Sequence, residues 1–246
     1  MTVYRIKSKS RSWDGEAIGI LILDAAYPCI PGNAGNATTF DFPVRYKEVK
    51  GSSIDLLLKE RDPSLLEPFI QGAKELEAEG VRAITGACGF MALFQRQISA
   101  AVDVPVFMSS LLQVPFIWQT LKHDQKIGLI SANASCLTQE HFISVGISKE
   151  IPLVIRGMED QEEFRSSVLE EKGTLDSDKV EREVTEVATK MVADEPAVAA
   201  IVLECSDLPP YARAVQLATG RPVFDFITMI RHVQSALVPR VYDGYM

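Results

Sequence analysis

The sequence has no apolar run approaching the roughly 20 residues needed to cross a bilayer; Ile18–Leu23, for example, is stopped by Asp24. The opening residues 1–13 are polar and basic and lack the apolar centre of a secretory signal. The expectation is a soluble, cytoplasmic protein with no membrane partner. Basic clusters are also missing. At a formal net charge of −8, with no stripe of Lys and Arg, the chain lacks the electrostatic footprint of a nucleic-acid binder. Histidine is scarce: His123, His141 and His232 lie far apart, none near a Cys or carboxylate at metal-ligand spacing, so no metal site is expected. Four cysteines in 246 residues are too few for a disulfide scaffold. In a reducing compartment each is either a small buried hydrophobe or a reactive thiol.

What the chain does have is apolar residues, 47% of the total, enough to bury a full core in one large domain or two small ones. Short, β-branched runs read as strands at Ile18–Asp24, Val44–Val49, Val81–Gly86, Val104–Ser109, Ile127–Ser131, Leu153–Arg156, Val198–Glu204 and Pro222–Phe226. Amphipathic stretches lie between them. Asp62-Pro63 reads as a helix start, Leu66, Phe69, Ile70, Ala73 and Leu76 recur at helical spacing, and Gly80 is placed to end that helix. Residues 177–194 form a second helical pattern, with Val180, Val184, Val187, Ala188 and Met191 on one face. Nearly all-apolar strands separated by helices indicate parallel sheets covered on both faces, an α/β fold.

The sequence also repeats itself. Ala83-Ile84-Thr85-Gly86-Ala87-Cys88 parallels Ala200-Ile201-Val202-Leu203-Glu204-Cys205. Seventeen residues after each Cys comes Pro-Val-Phe, at Pro105 and at Pro222. The halves open alike, with Ile18-Gly19-Ile20-Leu21 matching Ile127-Gly128-Leu129-Ile130. The chain reads as a duplication of four strands, with a Cys just after the third strand of each half.

Ligands of open α/β sheets sit beyond the carboxyl ends of the strands, and Cys88 and Cys205 both fall there. Helix patterns follow at 90–102 and 209–218. A thiol at a helix N-terminus has a lowered pKa, and the same free N–H groups hold a carboxylate. Two thiols facing each other across a cleft could take a proton from one face of a carbon next to a carboxylate and return one from the other. That is racemisation.

The loop Pro31-Gly32-Asn33-Ala34-Gly35-Asn36-Ala37-Thr38-Thr39 offers converging N–H groups and Asn and Thr side chains, and Pro31 and Asn36 are its expected substrate contacts. Ser131 and Asn133 occupy the related position in the second half, and Thr85 and Gly86 end the strand before Cys88. Glu204 and Asp207 flank Cys205 and would raise its pKa if close; Asp207 reads more simply as a helix cap. Arg45 reads as a solvated strand-edge residue, and Phe116 and Trp118 as core or interface positions without a chemical role. Cys29 and Cys136 carry no comparable signal.

On these residues the chain resembles the aspartate/glutamate racemase superfamily, which includes hydantoin racemases, arylmalonate decarboxylases and maleate isomerases. The resemblance covers Gly19–Asp24 and its loop, Thr85–Gly89, Ile127–Asn133 and Glu204–Asp207. It implies two pseudo-symmetric flavodoxin-like lobes, each a parallel four-stranded sheet flanked by helices: residues 1–112 plus 228–246 with Cys88, and residues 113–227 with Cys205. It implies a cofactor-free site between the lobes, with Cys88 and Cys205 catalytic. Amino-acid racemases of this group carry Asn-Thr after the first Cys and Thr after the second; here stand Gly89-Phe90 and Ser206, the expected substrate contacts at those positions. The expected activity is that of an isomerase, a racemase of an amino acid or related small carboxylate, assembled as a homo-oligomer (dimer or higher). A cis–trans isomerase or decarboxylase of a small dicarboxylate using one Cys remains open. So does a two-lobed binding protein.

Overall fold

The computed structural model describes residue 3 and residues 13–246; most of the polar, basic opening stretch therefore lies outside the described residues. The first sheet contains β1 (Ile18–Leu23), β2 (Val44–Val49), β3 (Ala83–Gly86) and β4 (Val106–Phe107), all parallel, in the order β2-β1-β3-β4. The second contains β5 (Lys126–Ser131), β6 (Leu153–Gly157), β7 (Val198–Leu203) and β8 (Val223–Phe224), in the corresponding order β6-β5-β7-β8. The duplication read from the sequence is thus a duplication of topology. Two parallel four-stranded sheets with flanking helices make the two-lobed fold that the sequence anticipated.

The matched glycines have a physical reason. Helix α1 (Leu66–Ala78) crosses β1 so closely that a Cβ on Gly19 would lie 3.0 Å from Leu76 Cδ1. In the second lobe a Cβ on Gly128 would lie 2.4 Å from Met191 Cε, on the long helix Ser177–Asp194. The first of these helices is entered as expected. Asp62 accepts a hydrogen bond from the Ser64 N–H at 2.8 Å, Pro63 opens a 3-10 turn, and Gly80 at φ +84° ends the segment.

Two expectations need correcting. The edge strands β4 and β8 each keep only two residues in the ladder rather than the five or six expected. Beside β4 the Gln95 side chain replaces a strand partner, donating to Val106 O at 3.0 Å and accepting from Met108 N at 2.9 Å. Neither Cys, moreover, stands at the start of an α-helix. Cys88 leads into a 3-10 stretch, Gly89–Phe94, before a short α2 (Gln95–Ser99). Cys205 is followed by a 3-10 turn, Pro209–Tyr211, before Ala212–Thr219.

The lobes share one interior. The largest apolar cluster runs from Leu21, Phe69 and Ile84 through Phe90 and Met91 to Ile130, Phe164 and Leu203. The last helix, Phe226–Leu237, follows β8 but lays Phe226, Met229, Ile230 and Val233 against Ile18, Ile20 and Ala83 of the first sheet. Both thiol-bearing strand ends therefore meet across a packed seam. No helix among the described residues is long and apolar enough to cross a membrane.

Candidate active site

The seam is stitched at the two turns. Ser206 Oγ donates to Ala87 O at 2.6 Å, and Ala34 N–H donates to Ser206 O at 3.4 Å. One residue beside Cys205 is thereby tied both to the residue before Cys88 and to the loop after β1. Cys88 is partly buried and Cys205 is 5% exposed; both are free thiols.

Each thiol has a carboxylate at hand. Cys205 Sγ donates to Asp207 Oδ2 at 3.3 Å. The other Asp207 oxygen accepts from the Asn33 amide, and the Tyr27 hydroxyl also hydrogen-bonds this carboxylate. Asp207 is therefore no helix cap; Leu208 stands before the following turn. Burial pushes the Asp207 carboxyl up to about 6, against hydrogen bonds from Cys205, Asn33 and Tyr27 that favour the ionised form.

Glu204 is fully buried. Its Oε2 accepts from the Ser131 hydroxyl at 2.9 Å, the Ala132 N–H adds a backbone bond, and Oε1 has no hydrogen-bond partner. Burial raises this carboxyl to about 7. Its placement also explains Gly89. A Cβ there would fall 1.9 Å from Glu204 Oε1 and 2.4 Å from Glu204 O, so only glycine lets the carboxylate lie against the backbone beside Cys88.

The lowered thiol pKa inferred from the sequence is overturned. Phe90 and Met91 N–H groups do favour the Cys88 thiolate, but desolvation and the Glu204 charge outweigh them, and the Cys88 pKa lies far above its ordinary value. Cys205 is raised by desolvation first, then by Asp207 and Glu204. At rest both are thiols, and a thiolate must be generated within the site.

The remaining sequence candidates divide plainly. Gly89, Ser131 and Ser206 come together with the thiols. Thr85 Oγ1 is taken up by Phe107 O at 2.6 Å, and Gly86 is packed against Met91 and Met108. Phe90 is core, edge-on to His141 with ring centres 5.2 Å apart. Asn36 caps its own loop through Thr38 N and holds Cys29 O, while the Asn133 Oδ1 accepts from Cys136 N and Ser135 Oγ. Pro31 lies on the outside of the loop, beside Thr39 and Pro209. Arg45, on the edge strand β2, is half-buried rather than solvated: it pairs with Glu16 and Glu79 and lies 5.2 Å over the Trp13 ring. Sequence reasoning missed Tyr27 and Asn33, which reach Asp207 from the opposite lobe; Asn33 lies in the loop after β1, between Pro31 and Asn36.

No protein-family profile matches the chain. Among curated proteins it is 33% identical over 217 residues to a dimethylsulfoniopropionate lyase of Durusdinium sp. clade D, covering 86% of this chain and 71% of that protein. Dimethylsulfoniopropionate lyases 3 and 7 of Emiliania huxleyi (strain CCMP1516) are 33% and 32% identical, covering 92% and 90% of this chain. The chain spans 61% and 67% of those two proteins. Among solved structures, unliganded arylmalonate decarboxylase superposes with a TM-score of 0.58 at 14% identity, covering 90% of this chain and 92% of that one. Picrophilus torridus aspartate racemase gives 0.56 at 18% identity, covering 91% and 93%.

These likenesses separate fold from reaction. The fold is the one shared by arylmalonate decarboxylase and aspartate racemase. The racemase reading, and with it the expectation of an isomerase of amino-acid metabolism, is overturned by relatives that are lyases at 32–33% identity over most of the chain. By sequence, the chain belongs to the dimethylsulfoniopropionate lyase family.

Proposed function

We propose that the protein cleaves dimethylsulfoniopropionate, or a close small sulfonium carboxylate, by β-elimination. A thiolate takes the proton from the carbon next to the carboxylate, the new C=C forms, and the C–S bond breaks with its electron pair leaving on sulfur. Dimethyl sulfide and acrylate are the products, and the proton stays on the thiol until it passes to solvent. Unlike racemisation, this reaction returns no proton to the substrate, so one base suffices.

Cys205 is the better-placed base. The observation that carries this is its 3.3 Å contact to Asp207 Oδ2: a carboxyl near 6 can accept the thiol proton near neutral pH. Asn33 and Tyr27 hold Asp207 in position for that transfer. A bound sulfonium opposes the burial and the Asp207 and Glu204 charges that raise the Cys205 pKa, since a nearby positive charge favours the thiolate. Cys88, facing the same site with the Phe90 and Met91 N–H groups behind it, completes the polar wall. Four free thiols support a reducing, cytoplasmic setting.

The test is direct. Purified protein is incubated with dimethylsulfoniopropionate, dimethyl sulfide is read in the headspace and acrylate by proton NMR. Catalytic release of both in equal amounts, lost about 100-fold or more in Cys205→Ser, is the expected result. Release no faster than in buffer, or an undiminished rate in Cys205→Ser, overturns the reading.

A further inference from the structure

We infer that Glu204 is the specificity-determining residue that recognises the positive charge of the substrate, its Oε1 taking the sulfonium beside the Cys88 turn; this rests on the lyase reading above. Three observations converge. Oε1 is a fully buried acceptor with no donor facing it, whereas Oε2 is anchored by Ser131 and Ala132. An orphaned buried acceptor carries a desolvation penalty unless a ligand relieves it. Next, Gly89 has no side chain to shield it, so the carboxylate is laid against the backbone next to Cys88, in the same seam as both thiols.

Finally, the described residues supply no counter-charge. Among the described residues no Lys, Arg or His forms an ion pair with Glu204 or Asp207. Two carboxyl groups and two thiols thus face one another with no cation among them. A sulfonium suits that arrangement in a way an ammonium with N–H groups does not. It has no hydrogen to donate and offers only charge and polarised C–H groups, which need an acceptor oxygen and no directed hydrogen bond.

The experiment is a calorimetric comparison of two probes that carry no sulfide leaving group. One is cationic, the trimethylammonium betaine of β-alanine; the other is 4-methylpentanoate, the neutral-tailed isostere of dimethylsulfoniopropionate. The wild type is expected to prefer the cationic probe at least tenfold. Glu204→Gln, which keeps the shape and one acceptor oxygen but not the charge, is expected to lose that preference while binding 4-methylpentanoate unchanged. Ser131→Ala, which frees Oε2, should erode the same preference to a smaller extent. A wild type that binds the betaine weakly or no better than the neutral probe overturns the assignment whether or not the variants fold. So does a Glu204→Gln protein that keeps the preference or weakens both probes alike. Neither probe requires turnover, so failure here is distinct from failure to release dimethyl sulfide.

Discussion

Asp207 Oδ2 stands 3.3 Å from Cys205 Sγ, and the other oxygen of the same carboxylate is held by the Asn33 amide from the opposite lobe. The proton acceptor of one lobe is thus aimed by a residue of the other. Asp207→Asn removes the acceptor and keeps the volume. The expected result is a fall in kcat of roughly 100-fold or more with KM changed far less, measured by initial rates of dimethyl sulfide release.

The same pair sets a pH dependence. Asp207 must be ionised to take the thiol proton, and its carboxyl is raised to about 6. The wild-type rate is therefore expected to climb as pH rises through about 6. In Asp207→Asn that limb should vanish from the residual activity. A profile unchanged in shape would mean that another group controls it.

Glu204 and stability are linked with the opposite sign from most carboxylates. Its folded pKa, about 7, lies above the ordinary value near 4.3, so the folded state binds more protons between those limits. Stability falls as pH rises through that window, and the full penalty is present above it. Glu204→Gln is expected to be more stable than the wild type at pH 8, by roughly 1–3 kcal/mol. The gap should close below pH 4, as read by urea unfolding.

Glu163 carries the usual sign. It accepts from Lys172 Nζ, Ser167 Oγ and Asp176 N, and these bonds hold its carboxyl down to about 2. Its contribution is present above the ordinary carboxylate pKa and is lost as pH falls through the folded value. Glu163→Gln should lower stability at pH 7 by about 1–3 kcal/mol, with no direct effect on the Cys205–Asp207 contact.

Much of the fold was legible because buried parallel strands are written as apolar runs, and all eight were placed where those runs lie. The glycine repeat at Gly19 and Gly128 was legible too, since both make room for a crossing helix. The thiol pair announced itself through matched spacing. What the sequence hid was contact across the seam. Nothing in the spacing of Tyr27 or Asn33 points to Asp207, about 180 residues away in the chain and joined to them only by the packing of two lobes. The thiol pKa was misread for a related reason: local geometry favours a thiolate at Cys88, but burial against Glu204 prevails.

Gly89→Ala is the plainest steric test. A Cβ would fall 1.9 Å from Glu204 Oε1 and 2.4 Å from Glu204 O, and a carbonyl at a strand end cannot swing aside as a flexible side chain can. A loss of about 1–3 kcal/mol is expected, seen as a lowered Tm. Truncating Glu204 in the same protein should recover only part of it, because the carbonyl remains.

That carbonyl makes residue 89 a gauge as well as a gap. Glycine sets the thickness of the joint between the two thiol-bearing turns at its minimum, and any larger residue must wedge the turns apart. The closeness with which the Cys88 turn lies on the Cys205 turn is therefore set by the side chain that residue 89 lacks.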